Sequence, residues 1–103
     1  MAMRLALKFH ERDNVATLFA NDLLVGMEVE VSDEQGNYDP VVLLADIPYG
    51  HKIAIRDISR GEAIIKYGEH IGRANRDIRK GDHVHVHNLE CQCGRGEVEV
   101  RTC

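Results

Sequence analysis

The chain has 103 residues, of which 44% are hydrophobic and only 5% aromatic, and its formal net charge is −4. This length suits one domain with a small core of aliphatic side chains. The negative charge argues against a dedicated nucleic-acid-binding protein, since such proteins are usually basic, and no apolar run approaches the roughly 20 residues that span a bilayer.

The first half of the chain predicts short strands. Residues 3–9 alternate between apolar and polar positions, as in a half-buried strand. Residues 15–19 predict a second short strand, and residues 27–31 alternate again. Residues 40–44 are apolar throughout, which favours a strand buried on both faces. In the first strand the predicted inward-facing residues are Met3, Leu5, Leu7 and Phe9.

A turn sequence, in which Asp is followed by Ile or Leu, two further residues and Gly, occurs four times. The copies run from Asp22, Asp46, Asp57 and Asp77 to Gly26, Gly50, Gly61 and Gly81. Aspartate starts turns by accepting hydrogen bonds from its own backbone two residues on. Glycine closes turns because it enters left-handed conformations readily. The apolar residue after each aspartate can bury itself and fix the corner, so the repeat predicts one domain of short strands with similar corners.

The second half continues this pattern without any sustained helical periodicity. Further strands are predicted at residues 51–55, 62–66, 69–74 and 82–88. The fold class is therefore mainly β, as a compact arrangement of bent hairpins. Residues 1–89 form the predicted domain, and residues 90–103 form a Gly- and Cys-containing tail.

His83, His85 and His87 are the strongest candidates for chemistry. On a strand all three would project from one face, while Val84 and Val86 would point into the core. Strand rise would place the backbones of His83 and His87 about 13 Å apart. Three histidines on such a strand cannot easily close on one ion. His83 and His85 could hold a metal such as zinc or ferrous iron if a third ligand came from elsewhere. The alternative is a solvated row that titrates near neutral pH.

Other polar residues carry weaker signals. His51 follows a corner glycine, and His70 lies in a glycine-flanked segment; each, taken singly, is better explained as a surface residue. Tyr67 is a candidate hydroxyl donor, with packing at a sheet rim as the alternative.

All three cysteines, Cys91, Cys93 and Cys103, lie in the last thirteen residues. Their odd number argues against a disulfide framework, and a reducing, cytoplasmic compartment fits best. The C-x-C pair could bind a soft metal, but a structural zinc site requires four ligands.

Three segments together resemble a known family. They are residues 47–58 with the motif G-H-K, residues 66–72 with K-Y-G-x-x-I-G, and residues 81–88 with H-V-H-x-H-N. In combination they resemble the SAF domain of the altronate/galactarate dehydratase family, and Asp13-Asn14-Val15-Ala16 is similar to the opening of that domain. The resemblance covers nearly the whole chain, although Cys91 and Cys93 depart from it.

The resemblance implies a β-clip fold and a division of labour with a large catalytic subunit. Family reactions are eliminations from sugar acids or, in a related branch, loss of sulfite from sulfolactate. Altronate-type members depend on a divalent metal, often Fe²⁺, which the large subunit is expected to hold for the most part. His85 and His87 are then expected to act in a shared catalytic site. The residues expected to bind a sugar-acid or related hydroxy-acid substrate are His51, Lys52, Arg56, Lys66, Tyr67 and Asn88.

Three functions therefore remain open from the sequence. The first is the small subunit of a sugar-acid hydro-lyase or of a sulfolactate sulfo-lyase, inactive alone and capable of homo-oligomerisation. The second is a carbohydrate-acid binding module without a catalytic role. The third is a small metal-binding protein that uses the histidine row and the C-x-C pair. No nucleic-acid or membrane partner is expected.

Overall fold

The computed structural model describes residues 3–33 and 35–91 of the chain. Within them it has nine strands and no helix, and hence no helix long and apolar enough to cross a bilayer. The prediction of a mainly β fold is confirmed. The strands are β1 Met3–Leu7, β2 Val15–Leu18, β3 Glu28–Ser32, β4 Tyr38–Val42, β5 Lys52–Ala54, β6 Ala63–Lys66, β7 Glu69–Ala74, β8 His83–Val84 and β9 Leu89–Cys91.

Six of these strands form a curled mixed sheet in the order β4-β3-β1-β2-β5-β8. Strands β1 and β3 run parallel, and the other neighbours run antiparallel. The curl brings the two ends of the sheet together, because Leu44 N, just after β4, donates to Gly81 O, just before β8, at 3.0 Å. The sheet thereby encloses an aliphatic core that includes Leu18, Val29, Leu43 and Ile53.

A second, antiparallel sheet of β6, β7 and β9 packs against the first over a separate aliphatic cluster that includes Ile58, Ile64 and Val84. Asn14 ties the two sheets together. Its buried side chain donates to Ala63 O at 2.8 Å and accepts from Ile65 N at 2.8 Å. Strand β9 extends to Cys91 and so crosses into the segment assigned to the tail. Cys93, Cys103 and most of that tail lie outside the described residues.

The four repeated corners pair with one another. Leu23 bridges Ile47, and Ile58 bridges Ile78, with each of these side chains at most 2% exposed. The predicted burial of the residue after each aspartate is therefore confirmed. The aspartate bonds are different from those expected, since three carboxylates accept from the paired corner rather than from their own turn. At 2.9 Å, Asp46 accepts from Val25 N, Asp57 from Lys80 N and Asp77 from Arg60 N.

Two predicted strand faces are wrong. In β1 the buried side chain is Ala6, whereas Leu7 is exposed, and the side chains of Met3 and Leu5 lie outside the described residues. In residues 40–44 only Val41 and Leu43 are buried, because the opposite face of this edge of the sheet is open to solvent. Ala6 packs in the enclosed core beside larger aliphatic side chains such as Leu18 and Val31.

Gly81 is the corner glycine whose replacement should damage the fold most. Its φ is +96°, and an added Cβ would collide with the carbonyl oxygen of Val42 where the sheet edges meet. We expect Gly81→Ala to lower the free energy of unfolding by about 2 to 4 kcal/mol, combining left-handed strain with overpacking. Gly36→Ala is the control, since Gly36 has φ +87° but open space around it, and should lose about 1 kcal/mol. Urea unfolding of both variants measures the difference, and equal losses would contradict the proposed collision.

Candidate functional site

The histidine segment is a strand for two residues and then a tight turn. Strand β8 ends at Val84, and the backbone N–H groups of Asn88 and Leu89 both donate to His85 O, at 3.0 and 2.9 Å. The prediction of a strand over residues 82–88 is wrong beyond Val84. Val84 is buried as expected, but Val86 is 70% exposed and does not point into the core.

Asn88 is the cause of this turn. Its side-chain oxygen accepts from His85 N at 3.0 Å, and its side-chain nitrogen donates to His83 O at 2.9 Å. Asparagine side chains commonly offer the backbone such an alternative to a sheet ladder. Asn88 is buried, and both polar ends of its amide are engaged inside the turn. Its expected role in substrate binding stays a prediction.

The turn folds the three histidines into a cluster. The ring centroids of His83 and His87 lie 5.2 Å apart, and those of His83 and His85 lie 5.6 Å apart. An extended strand would instead separate the backbones of His83 and His87 by about 13 Å. The turn therefore brings the rings of His83 and His87 closer together than a continuous strand over these residues would.

His51 is the fourth member of this imidazole cluster, which we define as His51, His83, His85 and His87. Its ring stacks on His85 with centroids 4.2 Å apart, and its Nδ1 lies 2.8 Å from Nε2 of His83 in a hydrogen bond. One of these two nitrogens donates and the other accepts, so the contact requires complementary roles of the two rings. The interpretation of His51 as an isolated surface residue is wrong.

In the corner from Asp46 to Gly50, the side chain of His51 is available for the contact with His83 because it does not close its own turn. In the other three corners, the residue that follows the glycine uses its side chain to accept a hydrogen bond from the backbone N–H of the residue three positions earlier. These contacts join Met27 Sδ to Leu24 N, Glu62 Oε1 to Ser59 N and Asp82 Oδ2 to Arg79 N. The equivalent earlier residue in the second corner is Pro48, which has no N–H to offer. A proline at this one position was the sequence signal that could have singled out His51.

Burial and nearby positive charge lower the pKa of two members of the cluster, His83 and His85. Burial, together with the neighbouring His51, His85, His87 and Lys52, lowers the pKa of His83 to about 4. Burial and the charges of His51, Lys52 and His87 also lower the pKa of His85. At neutral pH His83 is therefore a neutral imidazole, with one ring nitrogen that donates and one that accepts, rather than a fixed cation.

Lys52 lies beside the cluster and is only 4% exposed. Burial, and secondarily the charge of Lys66, lowers its pKa from 10.5 to about 8. The charge of Lys52 contributes in turn to the lowered pKa of both His83 and His85. A lysine in such surroundings favours an anion nearby, because a carboxylate would offset both the burial and the neighbouring positive charge.

The remaining predicted residues lie at varied places. Lys66 Nζ is 5.1 Å from the ring centroid of Tyr67, which also packs on Phe9 at 4.5 Å. Tyr67 has φ +58°, an uncommon conformation for a bulky residue. Arg56 forms an ion pair with Glu62 at 2.8 Å. His70 is exposed on β7.

The described residues contain no group of three or more His, Cys, Asp or Glu side chains arranged to hold a metal ion. The clustered imidazoles stack on one another and hydrogen-bond between rings, which is not the convergent arrangement of a complete metal site. Neutral imidazole is nevertheless a suitable ligand type for Fe²⁺ or Zn²⁺. The residues present therefore suit a metal site to which this chain contributes His83 and His85 and another chain contributes the remaining ligands. They do not form a complete site among the described residues.

Asn88→Ala should loosen the cluster. It leaves His85 N and His83 O without their partners, and orphaned buried groups typically cost about 1 to 3 kcal/mol. We expect the free energy of unfolding to fall by that amount. We also expect the hydrogen bond between His51 Nδ1 and His83 Nε2 to be lost, so that NMR no longer detects its shared proton. Asn75→Ala, at a half-buried asparagine, is the control and should leave the imidazole signals in place.

The structure thus defines a small β domain that presents clustered imidazoles and a buried lysine at one end of a curled sheet. A family model described as the altronate/galactarate dehydratase SAF domain matches residues 4–92. The chain belongs to this family.

Three relatives show the settings in which the domain occurs. Altronate dehydratase from Escherichia coli (strain K12) is 46% identical over 82 residues, which are 80% of this chain and 15% of that enzyme. Altronate dehydratase from Bacillus subtilis (strain 168) is 38% identical over 95 residues, 85% of this chain and 16% of the enzyme. The (2R)-sulfolactate sulfo-lyase subunit alpha from Chromohalobacter salexigens is 57% identical over 44 residues, 43% of this chain and 47% of the subunit. The chain therefore spans a small fraction of the dehydratases and a much larger fraction of the sulfo-lyase subunit.

Proposed function

We propose that this chain is the small, SAF-domain subunit of a lyase of the altronate/galactarate dehydratase type, and that it acts with a large catalytic subunit. The observation that carries the proposal is the imidazole cluster, formed by two of the three segments that carry the family motifs. Its setting supports the division of labour: the relatives named dehydratases have about 85% of their length outside the matched segment, and the sulfo-lyase relative is named as one subunit of its enzyme.

The chemistry of the cluster suits an elimination. Removing water from a hydroxy acid requires a base at the carbon next to the carboxylate, and an acid or a metal at the departing hydroxyl. A neutral imidazole can take the proton from that carbon, and a protonated partner ring can return one to the leaving group. In this proposal His85 and His87 exchange protons with the substrate, while the His51–His83 pair fixes the tautomers behind them.

Substrate charge is matched by the lysines. A sugar acid carries at least one carboxylate, and charge-assisted hydrogen bonds to ammonium groups would orient it. Lys52 and Lys66 are close enough for Lys66 to lower the pKa of Lys52, so one carboxylate could relieve the repulsion between them. His51 precedes Lys52 and Tyr67 follows Lys66 in the chain, and both are proposed as further substrate contacts. Arg56, which is paired with Glu62, would have to exchange that partner to take part.

A divalent metal is part of the proposal, with Fe²⁺ as the expected ion and the large subunit as its main holder. When bound, it would polarise the departing hydroxyl as a Lewis acid. His83 and His85 are the residues of this chain that would reach it. The cysteine distribution continues to favour a reducing, cytoplasmic setting, and a homo-oligomer of the complex is compatible with all of these roles.

The test is purification of the tagged chain from its native host, followed by mass identification of co-eluting chains and assays with altronate and galactarate. We expect no turnover by the isolated chain and dehydration by the complex. Full activity of the isolated chain would overturn the shared site. A stable native complex that eliminates neither water nor sulfite from any hydroxy acid would overturn the lyase assignment itself.

A sulfolactate sulfo-lyase small subunit is the second candidate. It is favoured by the 57% identity to subunit alpha and by the larger share of that subunit that is matched. A sulfonate and a carboxylate are both anions that the lysines would hold, so the charges of the site do not separate the two substrates. Release of sulfite from (2R)-sulfolactate by the same purified complex decides between them.

A further inference from the structure

Exposed apolar side chains lie next to the imidazole cluster along the chain. Val86, between His85 and His87, is 70% exposed, and Tyr49, two residues before His51, is 56% exposed. Phe19 is 41% exposed and packs edge-on against Tyr49, with ring centroids 6.3 Å apart. We call Phe19, Tyr49 and Val86 the apolar rim.

The fold holds the apolar rim in place. Val86 is at the crest of the turn that Asn88 fixes through two hydrogen bonds. Tyr49 is in the turn closed by the hydrogen bond from His51 N to Pro48 O at 3.1 Å, and Gly50 N donates to Leu18 O at 2.8 Å beside Phe19. Tyr49 and Val86 are therefore presented to solvent by hydrogen-bonded turns. Such preformed backbone lowers the entropy lost when a partner covers these side chains.

We propose that the imidazole cluster and its apolar rim together form the docking surface for the large catalytic subunit. This inference rests on the proposed function and adds to it the face through which the two parts meet. The occupant follows from the relatives, because about 85% of an altronate dehydratase lies outside the matched domain and the reacting groups supplied here need that remainder beside them.

Docking through the apolar rim would exclude water from the imidazole cluster. Contacts around a reacting centre exclude water, and excluding water strengthens the interactions between a substrate and the groups that polarise it. Aromatic residues are enriched at such interfaces because they bury large areas with few rotatable bonds. An apolar border around proton-transferring rings would therefore seal the substrate between the two subunits, with the lysines holding its charged end.

The direction of the corners provides a matched control. Leu23 and Ile47 pair in an antiparallel bridge, so the chain after Leu23 leaves the bridge in the direction opposite to the chain after Ile47. Val25 and Tyr49, each two residues after its bridging residue, thus lie towards opposite ends of the paired corners. Val25 is 61% exposed, comparable to Tyr49, but it is not adjacent in sequence to a histidine of the cluster.

The experiment uses the complex purified from the native host and three variants of this chain: Tyr49→Asp, Val86→Asp and Val25→Asp. We expect the dissociation constant for the large subunit to rise at least about 10-fold for each of the first two, as for central interface residues, and to change less than about 2-fold for Val25→Asp. Amide hydrogen exchange on the unaltered complex should show protection at residues 49–51 and 85–88 relative to the free chain. That second measurement stands even if a variant fails to fold.

The outcomes separate the docking surface from the lyase function. An active lyase complex with unprotected rim residues and unaffected affinities overturns the docking surface alone. Protection at these residues in a complex without lyase activity overturns the proposed function and hence the identity of the occupant. Protection caused by a second copy of this chain, seen as a dimer of the isolated chain that Tyr49→Asp disrupts, assigns the surface to self-association and overturns the proposed occupant.

Discussion

Replacing His51 by alanine is expected to reduce the turnover of the proposed lyase complex by about 10- to 100-fold, the effect typical of losing a residue that orients the reacting groups. The variant removes both the 2.8 Å hydrogen bond to His83 and the 4.2 Å stack on His85. His83 then loses the partner that fixes its tautomer, and His85 loses the surface that orients its ring. Turnover of the purified complex with its substrate measures the effect.

His70→Ala is the control for this prediction. His70 is a histidine of the same domain, but it is exposed on β7 and belongs to the second sheet. Its loss should leave turnover within about 2-fold, since exposed substitutions away from special features change little. A His51→Ala complex that keeps more than half its turnover, or a His70→Ala complex that loses as much as His51→Ala, would refute the role of the cluster. A shift in the pH profile of the residual activity would separate a tautomer-fixing role from simple packing.

The architecture was predictable because it depends on local rules. Each corner glycine takes a left-handed conformation, and each residue after a corner aspartate is buried, as the repeat indicated. What the repeat could not supply was which corners pair. The bridges from Leu23 to Ile47 and from Ile58 to Ile78 join positions about 20 residues apart, and pairing over such separations is decided by tertiary packing rather than by turn chemistry.

The imidazole cluster was only half predictable. The sequence gives His83, His85 and His87 alternating spacing, which favours a strand, yet two hydrogen bonds from the Asn88 side chain stabilise a turn there. Local side-chain bonds of asparagine compete with sheet ladders, and periodicity does not register this competition. His51 was missed as a cluster member for a different reason, since its contact with His83 is 32 positions away in sequence.

The corners and the cluster are products of one motif used in two ways. In three copies the side chain that follows the glycine closes the turn by accepting a hydrogen bond. In the copy with Pro48 that side chain belongs to His51, which instead takes part in the imidazole cluster. The last copy leads directly into β8, so its corner sets where His83 emerges beside β5. The same turn chemistry that builds the curled sheet therefore also brings the His51 and His83 rings into contact.

Replacing Lys52 by methionine should stabilise the free chain while impairing the enzyme. At pH 7 Lys52 is protonated in both the folded and the unfolded chain, because its pKa of about 8 when folded lies above that pH. Only the folded chain holds the ammonium group in buried surroundings near Lys66, and the lowered pKa indicates that this cost outweighs the other interactions that Lys52 makes. A pKa lowered to this extent corresponds to about 3 kcal/mol. We expect Lys52→Met to raise the free energy of unfolding by about 1 to 3 kcal/mol at pH 7, and to lower turnover by weakening the hold on the substrate carboxylate.

The pH dependence identifies the cause. As pH rises from about 8 towards 10.5, folded Lys52 releases its proton while the unfolded chain still keeps it, so the unaltered chain gains stability over this window. The advantage of Lys52→Met should therefore shrink across that range and vanish above it. Lys80→Met, at an exposed lysine, should change stability by less than about 0.5 kcal/mol at every pH. Urea unfolding at pH 7, 9 and 11 measures all three chains, and a Lys52→Met variant that is less stable than the unaltered chain at pH 7 would show that the buried ammonium group supports the fold rather than the site.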